Sequence, residues 1–281
     1  MTLRRVMIWL QPSAPFANRS IIAAGAKIAA EHGAELNAII TTPKLSRSGH
    51  WAVGGLVSSM SAEVEARSES TAQDLVRALD HTRAAAGLKG VSKVQTMAPH
   101  LFGDFLAVIG RTSDLVIAGA TTDEDARGQI EAMIFGVARP VLLLPAGDEG
   151  AGEAVFSPTQ VALAWDGSRA ATRAAFDALP VLKRARKVTL IQIADDKDLS
   201  TAASIGELRA LMTAHGVETD TLEVLGRGKP TNLALQDAFE QSQADVLVMG
   251  AYGHSRAREF VLGGATRGTL QASAFPVLLS H

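Results

Sequence analysis

The sequence predicts an α/β fold built twice: two tandem open parallel sheets of five strands, each with helices on both faces. Three observations carry this. Short apolar runs alternate with helix-length runs along the whole chain, the arrangement that parallel sheets covered on both faces require. The order of these elements repeats once. Matched segments also stand at similar offsets: DLVIAGA from Asp114 and DVLVMGA from Asp245 lie 131 residues apart, ARPVLLL and AFPVLLS align through Pro140 and Pro276 at 136, and VMIWLQPS and VALAWDGS align through Val6 and Val161 at 155. Self-similarity of this kind is the mark of a duplicated unit.

In the first unit, Val6–Leu10 reads as a buried strand. Phe16–His32 is alanine-rich with helical spacing, and Gly33 suits its C-terminal cap. Leu36–Ile40 is a second strand, and 41–57 reads as an irregular loop with Pro43, Gly49, Gly54 and Gly55. Ser58–Ala86 is a long polar helix ending at Gly87. Val91–Thr96 is a third strand, Pro99–Gly110 a helix, Asp114–Ala118 a fourth strand, Ala126–Ala138 a helix and Pro140–Leu144 a fifth strand. The run PAGDEGAGEAVFSPT, rich in Gly, Pro and acids, then reads as a connector. The expected division is a first domain at 1–145, a linker at 146–159 and a second domain at 160–281. The second unit runs through strand Gln160–Trp165, helix Arg169–Ala185 kinked at Pro180, strand Val188–Ile193 and helix Leu199–His215. It continues with strand Glu218–Leu225, a helix from Pro230 to Ser242, strand Asp245–Met249 and a last strand from Pro276.

Composition narrows the function classes. Among 281 residues, 47% are hydrophobic, with 27 Lys+Arg against 29 Asp+Glu. That is enough to build cores, and the near balance of charge gives no electrostatic reason for a nucleic acid or an anionic membrane as partner. With no cysteine, disulfides, thiolate metal sites and cysteine nucleophiles are excluded. No apolar stretch reaches the ~18 residues of a spanning helix. The first residues read as a strand rather than a signal peptide, so a cytoplasmic protein is expected. The seven histidines form no HxxxH or HExxH pattern, and no GxSxG elbow occurs, so neither a metal site nor a catalytic site is expected.

The stretch GAYGHSRAREFVLGGAT, from Gly250 to Thr266, follows the fourth strand of the second unit. A strand that passes through a glycine-rich loop into a helix builds an anion pocket: glycine lets backbone N–H groups approach a phosphate, and the helix N-terminus adds unsatisfied donors. Gly250 and Gly253 either present amides to phosphates or make a tight turn that needs positive φ. Gly263 and Gly264 either seat a phosphate or allow close helix–sheet packing. Thr266 either replaces a missing hydroxyl contact or caps the helix. Asp166, after the first strand of this unit, faces ribose, adenine or a bridging Mg2+ if it touches a nucleotide, since it would repel the phosphates. Otherwise it makes an Asx turn into the next helix. His254, Ser255, Arg256 and Arg258 meet a γ-phosphate or form a solvated face. Trp51 contacts a ligand or the other half, or packs in the core. In the first unit the same place reads TTDEDARG, and Asp123, Glu124 and Asp125 would repel phosphate, so no nucleotide is expected there.

With WDGS at 165–168, the Gly-x2-Gly-x9-Gly pattern through Gly250, Gly253 and Gly263, and the terminal PVLL, the second unit resembles the universal stress protein family. The whole chain is similar to the tandem two-domain form of that family. Gly264 stands where nucleotide-binding members carry Ser or Thr. The resemblance implies a strand order of 3-2-1-4-5 in each sheet, with an ATP site in the C-terminal domain. It places the family's aspartate on Asp166 and its adenine-contacting backbone near Ile193, beside Gly250, Gly253, Gly263, Gly264 and Thr266. It implies ATP with Mg2+ as cofactor, a nucleotide-responsive stress regulator with little or no hydrolysis, and a protein partner of unknown identity. It also implies that the last strands, Val141–Leu144 and Val277–Leu279, pack together as an internal pseudo-dimer. An interaction scaffold that no longer binds nucleotide is the alternative that Gly264 and the altered first unit leave open.

Overall fold

The computed structural model describes residues 2–45, 54–121, 123–145, 156–194, 204–251 and 275–281. Its ten strands are β1 (Arg5–Leu10), β2 (Glu35–Pro43), β3 (Ser92–Met97), β4 (Leu115–Gly119), β5 (Val141–Leu144), β6 (Gln160–Ala164), β7 (Lys187–Ile193), β8 (Asp220–Val224), β9 (Val246–Gly250) and β10 (Val277–Ser280). Between them lie α1 (Pro15–His32), α2 (Gly54–Ala86), α3 (Phe102–Gly110), α4 (Glu124–Val137), α5 (Arg169–Asp177), α6 (Leu179–Leu182), α7 (Ile205–Ala214) and α8 (Thr231–Ser242).

The strands form one sheet in the order β3-β2-β1-β4-β5-β10-β9-β6-β7-β8. Each half has the expected 3-2-1-4-5 order, but the two expected sheets are one. The reason is the antiparallel pairing of β5 with β10, through Val141↔Leu279, Leu142↔Leu278 and Leu143↔Val277. These six side chains are all at most 4% exposed. Two apolar edges that would each invite aggregation therefore close on one another. The free edges left are β3 and β8, whose sequences SKVQTM and DTLEV carry charges. Helices α1, α2, α5, α6 and α7 cover one face, and α3, α4 and α8 the other.

Several boundaries differ from the sequence reading for identifiable reasons. Thr41 and Thr42 extend β2 instead of opening a loop, because their hydroxyls find partners inside the sheet. Trp9 Nε1 donates to Thr41 Oγ1 at 3.0 Å, and the hydroxyls of Thr42 and Thr96 pair across strands at 2.7 Å. Helix α2 starts at Gly54 instead of Ser58, and residues 99–101 form a separate 3-10 turn before α3. The kink expected at Pro180 is a break at Ala178, with Pro180 in the first turn of α6, where its missing N–H costs nothing. Helix α7 starts at Ile205 behind a capping box: Ser204 Oγ accepts from Glu207 N–H, and Glu207 Oε2 accepts from Ser204 N–H. The expected start of that helix at Leu199, and the linker residues 146–155, lie outside the described residues.

One device recurs in both halves. Asp114 Oδ2 accepts from the N–H groups of Arg4 and Arg5 at 2.7 and 2.9 Å. Asp245 Oδ2 accepts from those of Thr159 and Gln160 at the same two distances. The aspartate before the fourth strand of each half thus ties down the start of the first. At Asp245, burial alone would raise the carboxyl pKa. The hydrogen bonds from Gln160 and Thr159, with Arg186 nearby, outweigh it and hold the group below its ordinary value.

Two outcomes are expected. Leu143→Ala, at a fully buried seam position, should cost about 2–5 kcal/mol in denaturant unfolding. Asp245→Ala should cost about 1 kcal/mol at pH 7, a figure reduced for the exposure of the site. Because the native pKa lies below the unfolded one, the contribution of Asp245 is present above the unfolded value. It is lost as pH falls through the native pKa, so the gap between wild type and variant should close in acid.

Candidate functional site

Three of the sequence-predicted residues come together at the carboxyl ends of adjacent strands. In β6 and β7, Ala164 is level with Ile191; two residues further on stand Asp166 and Ile193. In β6 and β9, Leu163 is level with Val248, so Gly250 stands two residues beyond, level with Trp165. Strands β6 and β9 are where the winding of the second half reverses, and open α/β sheets place ligands at that crevice. The backbone orientation is informative too. Trp165 N–H donates to the Ile191 carbonyl at 2.8 Å, and Ala194 N–H donates to the Val224 carbonyl at 2.9 Å. Alternation along the strand therefore turns the backbone groups of Ile193, like those of Ile191, toward β6 and the crevice.

Asp166 makes the Asx turn. Its Oδ1 accepts from Ser168 N–H at 3.0 Å, across Gly167, whose φ of 69° suits glycine. Ser168 in turn caps α5, its Oγ accepting from Ala171 N–H at 3.1 Å. The sequence DGS thus folds into a rigid corner that fixes both the carboxylate and the helix start. The cap was legible as Ser followed by a helical run, but the sequence reading assigned Ser168 no role.

Gly250 is not the positive-φ turn glycine that is one of its two expected roles. It lies in β9 and is not among the glycines with positive φ. A Cβ there would stand 2.5 Å from the backbone of Ala170 and Ala171. Glycine is needed because the first turn of α5 lies directly on the end of β9. That contact draws β6, α5 and β9 to a common corner, and no propensity rule would reveal it.

Gly253, Gly263, Gly264 and Thr266 lie outside the described residues, as do Trp51, His254, Ser255, Arg256 and Arg258.

The equivalent crevice of the first half is built differently. It is a cleft of about 440 Å3 between β1 and β4, bordered by Gln11, Ser13, Phe16, Gly119 and Thr121. Gln11, in the place of Asp166, is held through its backbone by Asn18: Gln11 N–H donates to Asn18 Oδ1 at 3.2 Å, and Asn18 Nδ2 donates to the Gln11 carbonyl at 2.7 Å. The helix that follows β4 is capped by an acid, Asp123 Oδ1 accepting from Ala126 N–H at 2.8 Å. A donor that a bound anion would use is thus taken by the chain's own carboxylate. Trp9 and Trp165 stand one step apart in the aligned halves, so they face opposite sides of the sheet: Trp9 packs with α3 and α4, and Trp165 with α5.

No family model matches the chain. In sequence it is 26% identical over 200 residues to a universal stress protein of Synechocystis sp., the match spanning 67% of this chain and 66% of that one, just under two thirds of the relative. In structure it is similar to a universal stress protein from Archaeoglobus fulgidus, with a TM-score of 0.68 at 16% identity, covering 98% of this chain and 95% of the other. It is also similar to a putative universal stress protein from Pseudomonas aeruginosa, with a TM-score of 0.54 at 12% identity over 99% and 93%. By sequence and by fold together, the chain is similar to universal stress proteins, and its 281 residues fit a tandem form of that fold.

Proposed function

We propose that this chain binds ATP with Mg2+ in the crevice between β6 and β9 and works as a nucleotide-responsive stress regulator with little or no hydrolysis. The observation that carries the reading is the meeting of Asp166, Ile193 and Gly250 at the switch point of the second half, directly before the glycine-rich stretch that starts at Gly250. In this reading the backbone of Ile193 meets adenine and the Asp166 carboxylate meets ribose or the metal. Gly253, Gly263, Gly264 and Thr266 supply the phosphate side. The acid cap at Asp123 and the neutral Gln11 argue against a nucleotide in the first half. The division into domains 1–145 and 160–281, joined by 146–159, and action through an unidentified protein partner belong to the same reading.

A second reading has its own support. The Asx turn of Asp166 and the helix contact of Gly250 give both residues a structural reason to be there. A scaffold of this fold without nucleotide would keep them.

Calorimetric titration separates the two. One MgATP per chain is expected, with thermal unfolding stabilised by ~2.7 kcal/mol at about 100 times Kd. Asp166→Asn keeps an acceptor for the turn but removes the charge. It should leave stability within about 0.5 kcal/mol while weakening MgATP about tenfold, a loss of ~1.4 kcal/mol. A silent titration supports the scaffold, and unchanged affinity in Asp166→Asn removes the carboxylate from the site. Phosphate release from saturating ATP should stay near background.

A further inference from the structure

The seam between the halves holds a cavity of about 230 Å3. Its floor is apolar and drawn from both halves: Leu115 and Leu142 from β4 and β5, Val246 and Val248 from β9, and Leu278 from β10. Ile28 of α1 and Val181 of α6 form its walls, and the segment 156–159 passes over it. A cavity of about 150 Å3 lined by aliphatic and aromatic side chains is enough to take benzene.

Among the described residues, the rim carries a polar atom without a partner. His32, the last residue of α1, has a buried Nδ1 with no hydrogen-bond partner. Burial, followed by the Arg184 guanidinium, lowers the His32 pKa against the opposing pull of Glu31, so the imidazole is neutral at pH 7. The charges beside it are engaged with each other. Arg184 Nη1 donates to the Glu31 carbonyl at 3.3 Å, Arg184 Nη2 lies 3.8 Å from Glu31 Oε2, and Lys27 Nζ lies 3.3 Å from Glu31 Oε1. A charged ligand would have to break these pairs and bury its charge against Leu142, Val248 and Leu278.

We infer that the seam cavity is a binding site for a compact, uncharged aromatic molecule carrying one hydroxyl or ring N–H, which seats its ring on the apolar floor and donates to the neutral imidazole of His32. Such a ligand touches β4 and β5 on one side and β9 and β10 on the other. Its occupancy therefore bears on how the two halves meet, independently of any nucleotide.

The test is a titration of the full chain, followed by amide chemical shifts, with three probes: phenol, toluene and benzoate. Phenol should bind saturably at one per chain, several-fold more tightly than toluene, which lacks the donor, and more tightly than benzoate. Val181→Phe, which fills the cavity from a partly buried wall, should abolish phenol binding with the circular dichroism spectrum unchanged. His32→Leu should bring phenol down to the level of toluene and leave toluene unaffected. The inference is overturned if phenol fails to saturate, if a folded Val181→Phe binds it as the wild type does, or if benzoate binds best. Equal loss of phenol and toluene in His32→Leu overturns the role of His32.

Discussion

The structure depends on three residue pairs. Val141, Leu142 and Leu143 meet Leu279, Leu278 and Val277 in an antiparallel ladder, and through it two parallel half-sheets become one sheet of ten strands. Hydrogen bonding alone would not make such a short ladder decisive, since each bond contributes about 1 kcal/mol net. The apolar burial on both faces does more: removing a pair of strands of this composition from one another would expose aliphatic side chains that are now inaccessible. Because β4 and β9 flank the seam on either side, it also sets where the two crevices lie, at equivalent places in the two halves.

How much of this was legible in the sequence differs by level. The alternation of strands and helices, the duplication and the 131-residue repeat of the aspartates were readable because they rest on periodicity and identity, which are local. The seam was reached only through resemblance, since an apolar run such as PVLL does not say which strand it pairs with. Register contacts were not legible at all. Gly250 reads as a phosphate-facing or turn glycine, and its need for close contact with α5, some eighty residues earlier in the chain, does not show in the sequence. Asp114 and Asp245 read as the ends of strands, yet each clamps the beginning of another. Such roles depend on which backbone groups a fold brings near, and a propensity scale carries no such information.

At the candidate site the same division holds. Asp166 stands out in the sequence as an acid at a strand end, with an Asx turn and a ligand contact as its two readable roles. The structure contains the turn with Ser168. The two halves show how a duplicated fold diverges by electrostatics without changing topology. One crevice carries the Asp166 carboxylate, turned onto Ser168 N–H. The other offers a neutral amide, with an acid already seated on the helix start. These few side chains differ while the strand order stays the same.

Hydrogen–deuterium exchange with and without MgATP tests the central claim most directly, because it reports on every segment at once. Protection should concentrate in 163–168, 191–194 and 249–266, with the first-half crevice at 9–18 and 119–126 unchanged. Protection confined to the first-half segments, or none anywhere at saturating nucleotide, would contradict a single nucleotide site in the second half.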